Sequence, residues 1–119
     1  MSIPKPGQPV RGSTTGAPIM ALFDLLGRRW AMGIIWNLAA GPATFRALQS
    51  PTGRTVGKTI SPSILNARLK DLHEAKVVER TPDGYALTPL GRELFKLIEP
   101  LDMWSLKWGD ELATERDAQ

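Results

Sequence analysis

The chain has no cysteine and only one histidine among its 119 residues. Without cysteine it cannot form disulfides, thiolate zinc sites or iron–sulfur clusters, and it has no thiol for nucleophilic catalysis or redox sensing. The single histidine, His73, excludes any site that needs two imidazoles. We therefore expect no metal, no cofactor and no thiol chemistry.

Long hydrophobic runs are also missing. No segment approaches the roughly 20 apolar residues that a membrane-spanning helix needs, and the first 16 residues lack the apolar stretch of a signal peptide. We expect a soluble cytoplasmic protein with one domain. Residues 1–16, rich in proline and glycine, are predicted to be a flexible arm, residues 17–113 the folded domain, and residues 114–119 a polar tail.

Acidic residues are scarce in the first part of the chain. Residues 1–70 contain nine Lys or Arg and one acid, Asp24, whereas residues 71–119 contain six bases and eleven acids. The net charge of +3 therefore divides into +8 and −5. Such asymmetry favours a surface that faces a polyanion, most often nucleic acid, although dispersed surface charge is an equally weighted alternative at this stage.

Three helices are predicted before residue 50. The first begins near Ala17 and ends at Gly27, because Ile19, Leu22, Phe23 and Leu26 recur with helical spacing. The second, from Arg28 to about Ala40, is apolar around much of its circumference, which suits the centre of a core or a subunit interface. A short third helix carries Phe45 and Leu48, with Thr44 as its cap.

A fourth helix is predicted over residues 61–75. Ser61 is a typical N-cap and Pro62 suits the first helical position. Its buried stripe would be Leu65, Leu69 and Leu72, which leaves Ser63, Asn66, Ala67 and Lys70 on the opposite face.

Two short strands are predicted on either side of residues 81–84, where Asp83 and Gly84 would supply the positive φ angles of a tight hairpin. After the cap and proline pair Thr88-Pro89, the last segment repeats Leu90, Leu94, Leu97, Leu101, Trp104 and Trp108 at steps of four and three. Pro100 should kink this segment. The stripe exceeds what so small a core requires, which favours a helical dimer interface.

This order of elements is that of a winged helix-turn-helix, a mainly α fold with a small β-hairpin wing. We predict double-stranded DNA as the partner, with helix 61–75 in the major groove and Asn66 able to pair with an adenine edge. Arg28 and Arg29 are further candidates for phosphate contacts. The candidate DNA-binding residues are Ser61, Ser63, Asn66, Ala67, Arg68, Lys70, Arg54, Lys58, Arg46 and Arg80.

Three stretches resemble the HxlR-type transcriptional regulators, a winged-helix group related to the MarR family. They read LFDLLGRRWAMGIIWNLAAGPATFRALQ (22–49), ISPSILNARLKDLHEAKVVER (60–80) and YALTPLGRELFKLIEPLDMW (85–104). The resemblance implies a homodimer that binds a near-palindromic operator, with Ser61–Lys70 as the reading helix and Arg80 in the wing. It also implies a dimer seam formed by the first and last helices, with Leu22, Phe23, Leu101, Trp104 and Trp108.

The chain departs from the usual pattern of this family in three places. Members usually carry a cysteine before the first helix, used in some as a redox or electrophile sensor, whereas this chain has Ala17 and Pro18. The wing is shorter than usual. The loop before the reading helix is longer and more basic, which makes Arg54 and Lys58 candidates for phosphate contacts that a short wing loses.

Two other classes of function are weighed against DNA binding. Residues 53–59, GRTVGKT, resemble a nucleotide-binding loop, but only three residues separate its glycines where four are needed, and His73 has no catalytic partner in sight, so we expect no enzyme. The alternative is a winged-helix module that mainly binds a protein or a small aromatic ligand between Trp30, Trp36, Trp104 and Trp108.

Overall fold

The structure, a computed structural model, describes residues 3–50 and 59–117. Six helices and one hairpin order this part of the chain, and the mainly α fold with a β-hairpin is confirmed. In chain order the elements are α1 (Pro18–Leu26), α2 (Ala31–Ala39), α3 (Phe45–Gln49), α4 (Pro62–Glu74), β1 (Val78–Thr81), β2 (Gly84–Leu87), α5 (Pro89–Ile98) and α6 (Pro100–Asp117).

The core lies between α2, α4 and the hairpin. Ile34, Ile35 and Leu38 of α2 are buried in one cluster with the predicted leucine stripe of α4. The apolar circumference of α2 predicts this central position. Val78 and Leu87, paired across the base of the hairpin, close the cluster on the wing side.

The helix α2 begins at Ala31, and the predicted start at Arg28 is wrong. Trp30 is the N-cap and has a φ of 74°. A left-handed conformation at a non-glycine residue is incompatible with a continuing right-handed helix, so residues 27–30 form a turn. Trp30 packs against the core, and the Arg29 guanidinium lies 5.0 Å from its ring centroid.

Side-chain caps fix the starts of three helices. The hydroxyl oxygens of Thr44, Ser61 and Thr88 accept hydrogen bonds from the third residue along, at 3.1, 3.3 and 3.0 Å. Pro62 and Pro89 occupy the first turn, where a missing N–H leaves no gap in the helix ladder. All three predicted caps are confirmed, because a cap depends only on residues next to it in sequence.

The wing hairpin pairs β1 with β2 in antiparallel register, with Thr81 opposite Gly84 and a two-residue loop between them. Of the four turn residues only Gly84 has a positive φ, 158°, so the prediction of a positive φ at Asp83 is wrong. Position 84 requires glycine because its backbone lies close to that of Ala43, and a Cβ there would collide with the Ala43 carbonyl. Ala43 and Tyr85 also form a β-bridge through two hydrogen bonds of 3.0 and 2.8 Å.

The last segment consists of two helices that meet at Pro100, where the sequence predicts a kink. The second of them, α6, continues through residues 114–117, so part of the predicted polar tail is helical. Large apolar side chains of α6 are exposed along its length: Leu101, Met103, Trp104, Leu106, Trp108 and Leu112.

The N-terminal segment, residues 3–16, lies against α1 and the end of α4. Ile3 is buried and its amide donates to the Glu74 carboxylate at 3.3 Å, while the Lys5 ammonium lies 3.7 Å from the other oxygen. The Arg11 guanidinium pairs with Asp24 at 3.5 Å. These contacts give the segment a defined place, and its flexibility stays a prediction.

Replacing Gly91 with alanine should destabilise the domain. Gly91 is buried at the start of α5, and a Cβ there would collide with the Val77 carbonyl, so the free energy of unfolding should fall by about 1–3 kcal/mol. Urea unfolding measures it. The matched control is Gly109→Ala in α6, where a Cβ meets nothing within 4 Å and helix propensity should raise stability by up to about 1 kcal/mol. Equal changes in the free energy of unfolding for the two variants would contradict the close packing of Gly91 against Val77.

Candidate nucleic-acid interface

The outer face of α4 is exposed along its whole length. Leu65, Leu69 and Leu72 are almost completely buried, as predicted, and this anchoring turns the opposite side of the helix to solvent. The exposed positions include all four that the sequence assigns to base reading: Ser63, Asn66, Ala67 and Lys70. Since a helix of 13 residues is about 20 Å long, this face can follow a major groove over several base pairs.

An open cleft of about 470 Å³ lies between α4 and the wing. Its lining brings Asn66 and Lys70 of α4 together with Arg80 of β1, which the sequence could only place on separate elements. Arg80 is exposed, and its guanidinium lies 5.9 Å from the centroid of the Tyr85 ring. His73 also lines the cleft, one turn beyond Lys70. The acids Asp71 and Glu74 belong to the same lining. The cleft thus places Lys70 and Arg80, together with these two carboxylates, beside the proposed base-reading face.

Arg68 is a candidate DNA contact in the sequence, but its guanidinium is bonded within the domain. Its Nη1 donates to the Asp71 carboxylate at 2.7 Å and its Nε donates to the Arg29 carbonyl at 2.9 Å, so its guanidinium is held against the domain. Arg28 also lies on Asp71, with 3.0 Å between Nη1 and Oδ2. Two arginines that the sequence offers for DNA contact therefore have partners within the chain.

The role of Asp71 was not predicted from the sequence. Its side chain is 12% exposed and holds both arginines, whereas acids in this stretch of the sequence suggest only solvation. One local signal existed, since Arg68 and Asp71 have the i, i+3 spacing of helical ion pairs. The pairing with Arg28 had none, because 43 residues separate the two in sequence.

Two of the remaining candidates, Arg46 and Ser61, lie within the described residues. Arg46 on α3 is exposed, as is Ser61 at the helix cap. Arg54 and Lys58 lie outside the described residues. On either side of residues 51–58, the Ile60 amide donates to the Gln49 carbonyl at 2.8 Å.

The candidate dimer residues are large, apolar and mostly exposed. Phe23, Trp104 and Trp108 are 57%, 58% and 53% exposed, Leu101 is similar, and Leu22 is half-buried. Trp104 and Trp108 stack on each other with ring centroids 6.1 Å apart.

The four tryptophans do not form one aromatic seam. Trp36 makes an edge contact with Phe95 at 5.1 Å, and Trp30 lies against the core beneath Arg29. No ring contact joins these two to the stacked Trp104 and Trp108. The aromatic ligand site that the sequence suggests as an alternative stays a prediction.

Two other kinds of feature are absent from residues 3–50 and 59–117. No helix there is long and apolar enough to cross a membrane. No group of three or more His, Asp or Glu side chains there is arranged to hold a metal ion.

Comparison with known families gives a match over most of the chain. The model of the HxlR-like helix-turn-helix family matches residues 25–113, which include the whole of α2 to α5 and most of α6. The transcriptional regulator YodB of Bacillus subtilis is 32% identical over 101 residues, 79% of this chain and 86% of the relative. An uncharacterised HTH-type transcriptional regulator of Methanocaldococcus jannaschii is 26% identical over 89 residues, 75% of this chain and 83% of the relative.

Solved structures match over about three quarters of the chain. The crystal structure of quinone-bound YodB from B. subtilis has a TM-score of 0.65 at 32% identity, covering 75% of this chain and 96% of that one. A possible HxlR family transcriptional factor from Thermoplasma volcanium has a TM-score of 0.60 at 28% identity, covering 73% of this chain and 80% of that one. Both matches support the winged-helix assignment.

Proposed function

Since this chain belongs to the HxlR-like helix-turn-helix family of transcriptional regulators, we propose that it works as a homodimer that reads a pseudo-palindromic operator with α4. DNA binding follows from the family. The dimer, the symmetry of the operator and the use of α4 as the reading helix are the proposed steps. The observation that carries them is the exposed outer face of α4, with Lys70 and Arg80 in the lining of the adjoining cleft.

The chemistry of that face suits base reading. Ser63 and Ala67 are short and let the helix approach the bases, and Asn66 between them can accept from and donate to an adenine edge. The acid at the end of the helix, Glu74, is engaged by Lys5 and by the Ile3 amide. Its charge is therefore partly compensated close to where phosphates would pass.

Phosphate contacts are assigned to the cations around the face. Lys70 and Arg80 line the cleft, Arg46 lies on α3, and Arg54 and Lys58 precede α4 in the sequence. These contacts would set affinity and register, whereas Asn66 and its neighbours would set sequence. Arg68 is left out of this set because Asp71 and the Arg29 carbonyl hold its guanidinium.

Dimerisation is assigned to α1 and α6. Leu101, Trp104 and Trp108 recur at helical spacing on one side of α6, and their exposure would be unfavourable in a lone monomer. Phe23 and Leu22 add a second apolar surface on α1. A symmetric pair would present two copies of α4 about 34 Å apart, one turn of B-DNA.

Selection of bound fragments from random DNA tests the function as a whole. We expect enrichment of a motif with two inverted half-sites whose centres are about ten base pairs apart. Failure to enrich any motif at low salt would contradict sequence-specific DNA binding and would favour a protein partner instead.

Replacing Asn66 with alanine should weaken binding to the selected site by about 1–3 kcal/mol for each base pair read, and should relax the preference at that position. Fluorescence anisotropy with the selected and a scrambled duplex measures both affinities. Because Asn66 is exposed, unfolding should be little affected, and the scrambled duplex is the control. An equal loss on both duplexes would show that Asn66 is not a base reader.

Replacing Lys70 with glutamine should make the dependence of log affinity on log salt less steep, by about one per phosphate contact and so by about two for a dimer. The same titration from low to high salt measures the slope. The matched control is Lys96→Gln, which removes the same charge from an exposed position on α5. Equal slopes for the two variants would exclude Lys70 from the interface.

Replacing Trp104 with serine should shift the monomer–dimer equilibrium towards monomer, because it removes an exposed aromatic side chain from the proposed seam. Sedimentation equilibrium over a range of concentrations measures the shift. The control is Leu106→Ser, since Leu106 is exposed to a similar extent but lies about 160° away around α6. A monomeric wild type, or equal shifts in both variants, would contradict this seam.

A further inference from the structure

We infer that Asp71 is a positioning residue that holds the reading helix at a fixed orientation against the turn between α1 and α2. Through this contact it determines how well the protein discriminates its operator from other DNA. The inference rests on the proposed function of α4, and it assigns to a buried carboxylate a role that neither the motifs nor the exposed face suggests.

One carboxylate oxygen makes the central contacts. Oδ2 of Asp71 lies 2.7 Å from Nη1 of Arg68 and 3.0 Å from Nη1 of Arg28. The first contact is within α4, whereas the second reaches the turn that leads into α2. The Nε of Arg68 then donates to the carbonyl of Arg29 in the same turn, at 2.9 Å. Two of the three contacts therefore join α4 to the turn between α1 and α2.

The leucine stripe fixes which side of α4 faces the core, but it restrains small rotations of the helix about its axis only weakly. Apolar packing is non-directional, so it fixes how deep the helix lies better than how far it is rotated about its axis. Charge-assisted hydrogen bonds are short and directional, and arginine presents its donors in a rigid fork. The contacts of Asp71 and Arg68 therefore supply the angular restraint that the apolar contacts lack.

The turn that receives these contacts is itself held in place. Trp30 has a positive φ and packs against the core, so the conformation of residues 27–30 is fixed by its surroundings. The same turn follows α1, which carries Phe23 of the proposed dimer seam. The contacts of Asp71 thus connect the helix proposed for dimerisation with the helix proposed for reading.

A small rotation of α4 has a large effect on base recognition. Bidentate pairing of Asn66 with adenine requires both hydrogen bonds to form at once, whereas a lysine reaches a phosphate from many angles. Loss of the restraint should therefore lower affinity for the operator much more than affinity for scrambled DNA. A variant that was only less stable would lose affinity for both in proportion to its unfolded fraction.

The test compares Asp71→Asn with a matched control, Asp24→Asn. Both aspartates have side chains that are 12% exposed and paired with an arginine, but Asp24 lies on α1 and pairs with Arg11 of the N-terminal segment, whereas Asp71 lies on α4 and pairs with Arg28 and Arg68. Affinities for the selected and scrambled duplexes are measured well below each melting temperature, with the active fraction set by stoichiometric titration. We expect the ratio of the two affinities to fall by about 5- to 100-fold for Asp71→Asn and to stay at the wild-type value for Asp24→Asn.

If Asp71→Asn does not fold, Arg28→Gln provides the test, since it removes only the ion pair between α4 and the turn before α2. We expect the affinity ratio to fall while the salt dependence keeps its wild-type slope, and Arg28→Lys to restore most of the ratio. If instead the slope becomes less steep by about two and the ratio is unchanged, Arg28 is a phosphate contact and the inference is wrong.

The outcomes separate the inference from the proposed function. A wild-type protein that selects no DNA motif overturns both. A wild-type protein that selects a motif, with Asp71→Asn and Arg28→Gln keeping its affinity ratio, overturns the inference alone.

Discussion

The burial of Leu65, Leu69 and Leu72 is the constraint on which the rest of the structure depends. Each buried leucine contributes about 1.5–3 kcal/mol, so α4 cannot turn this stripe away from the core without losing much of the stability of a small domain. The polar face follows as a geometric consequence, since residues opposite the stripe must face solvent. The same helix therefore closes the core and provides the surface that we propose for DNA.

Much of this arrangement could be predicted from the sequence because its signals are local. The cap residues act on backbone amides three positions away, and the leucine spacing needs only the helical period. The hairpin was predicted from the Asp83-Gly84 pair within the turn 81–84, and the structure narrows that turn to a loop of two residues, Pro82 and Asp83. The exposed face of α4 followed from the same spacing, so the candidate base readers were found without a structure.

What could not be predicted depends on partners distant in the sequence. The start of α2 is set by how Trp30 packs in the core, and the roles of Arg28 and Arg68 are set by a carboxylate that the sequence shows as one more surface acid. A basic residue beside a reading helix is an obvious candidate for DNA contact, yet these two arginines have partners within the chain. Charge counts identify a basic region, but only the fold shows which of its charges have partners.

The attachment of the wing to the domain limits how the proposed DNA-binding surface can vary during evolution. The strand β2 is bonded on one edge to β1 and near its beginning to Ala43, with Gly84 pressed against that residue. A substitution at Gly84 would separate the two backbones, whereas Pro82 and Asp83 are exposed and contribute nothing to the core. Changes in how the wing meets a new target can therefore accumulate in the loop, by substitution or insertion, while the framework that carries it stays the same.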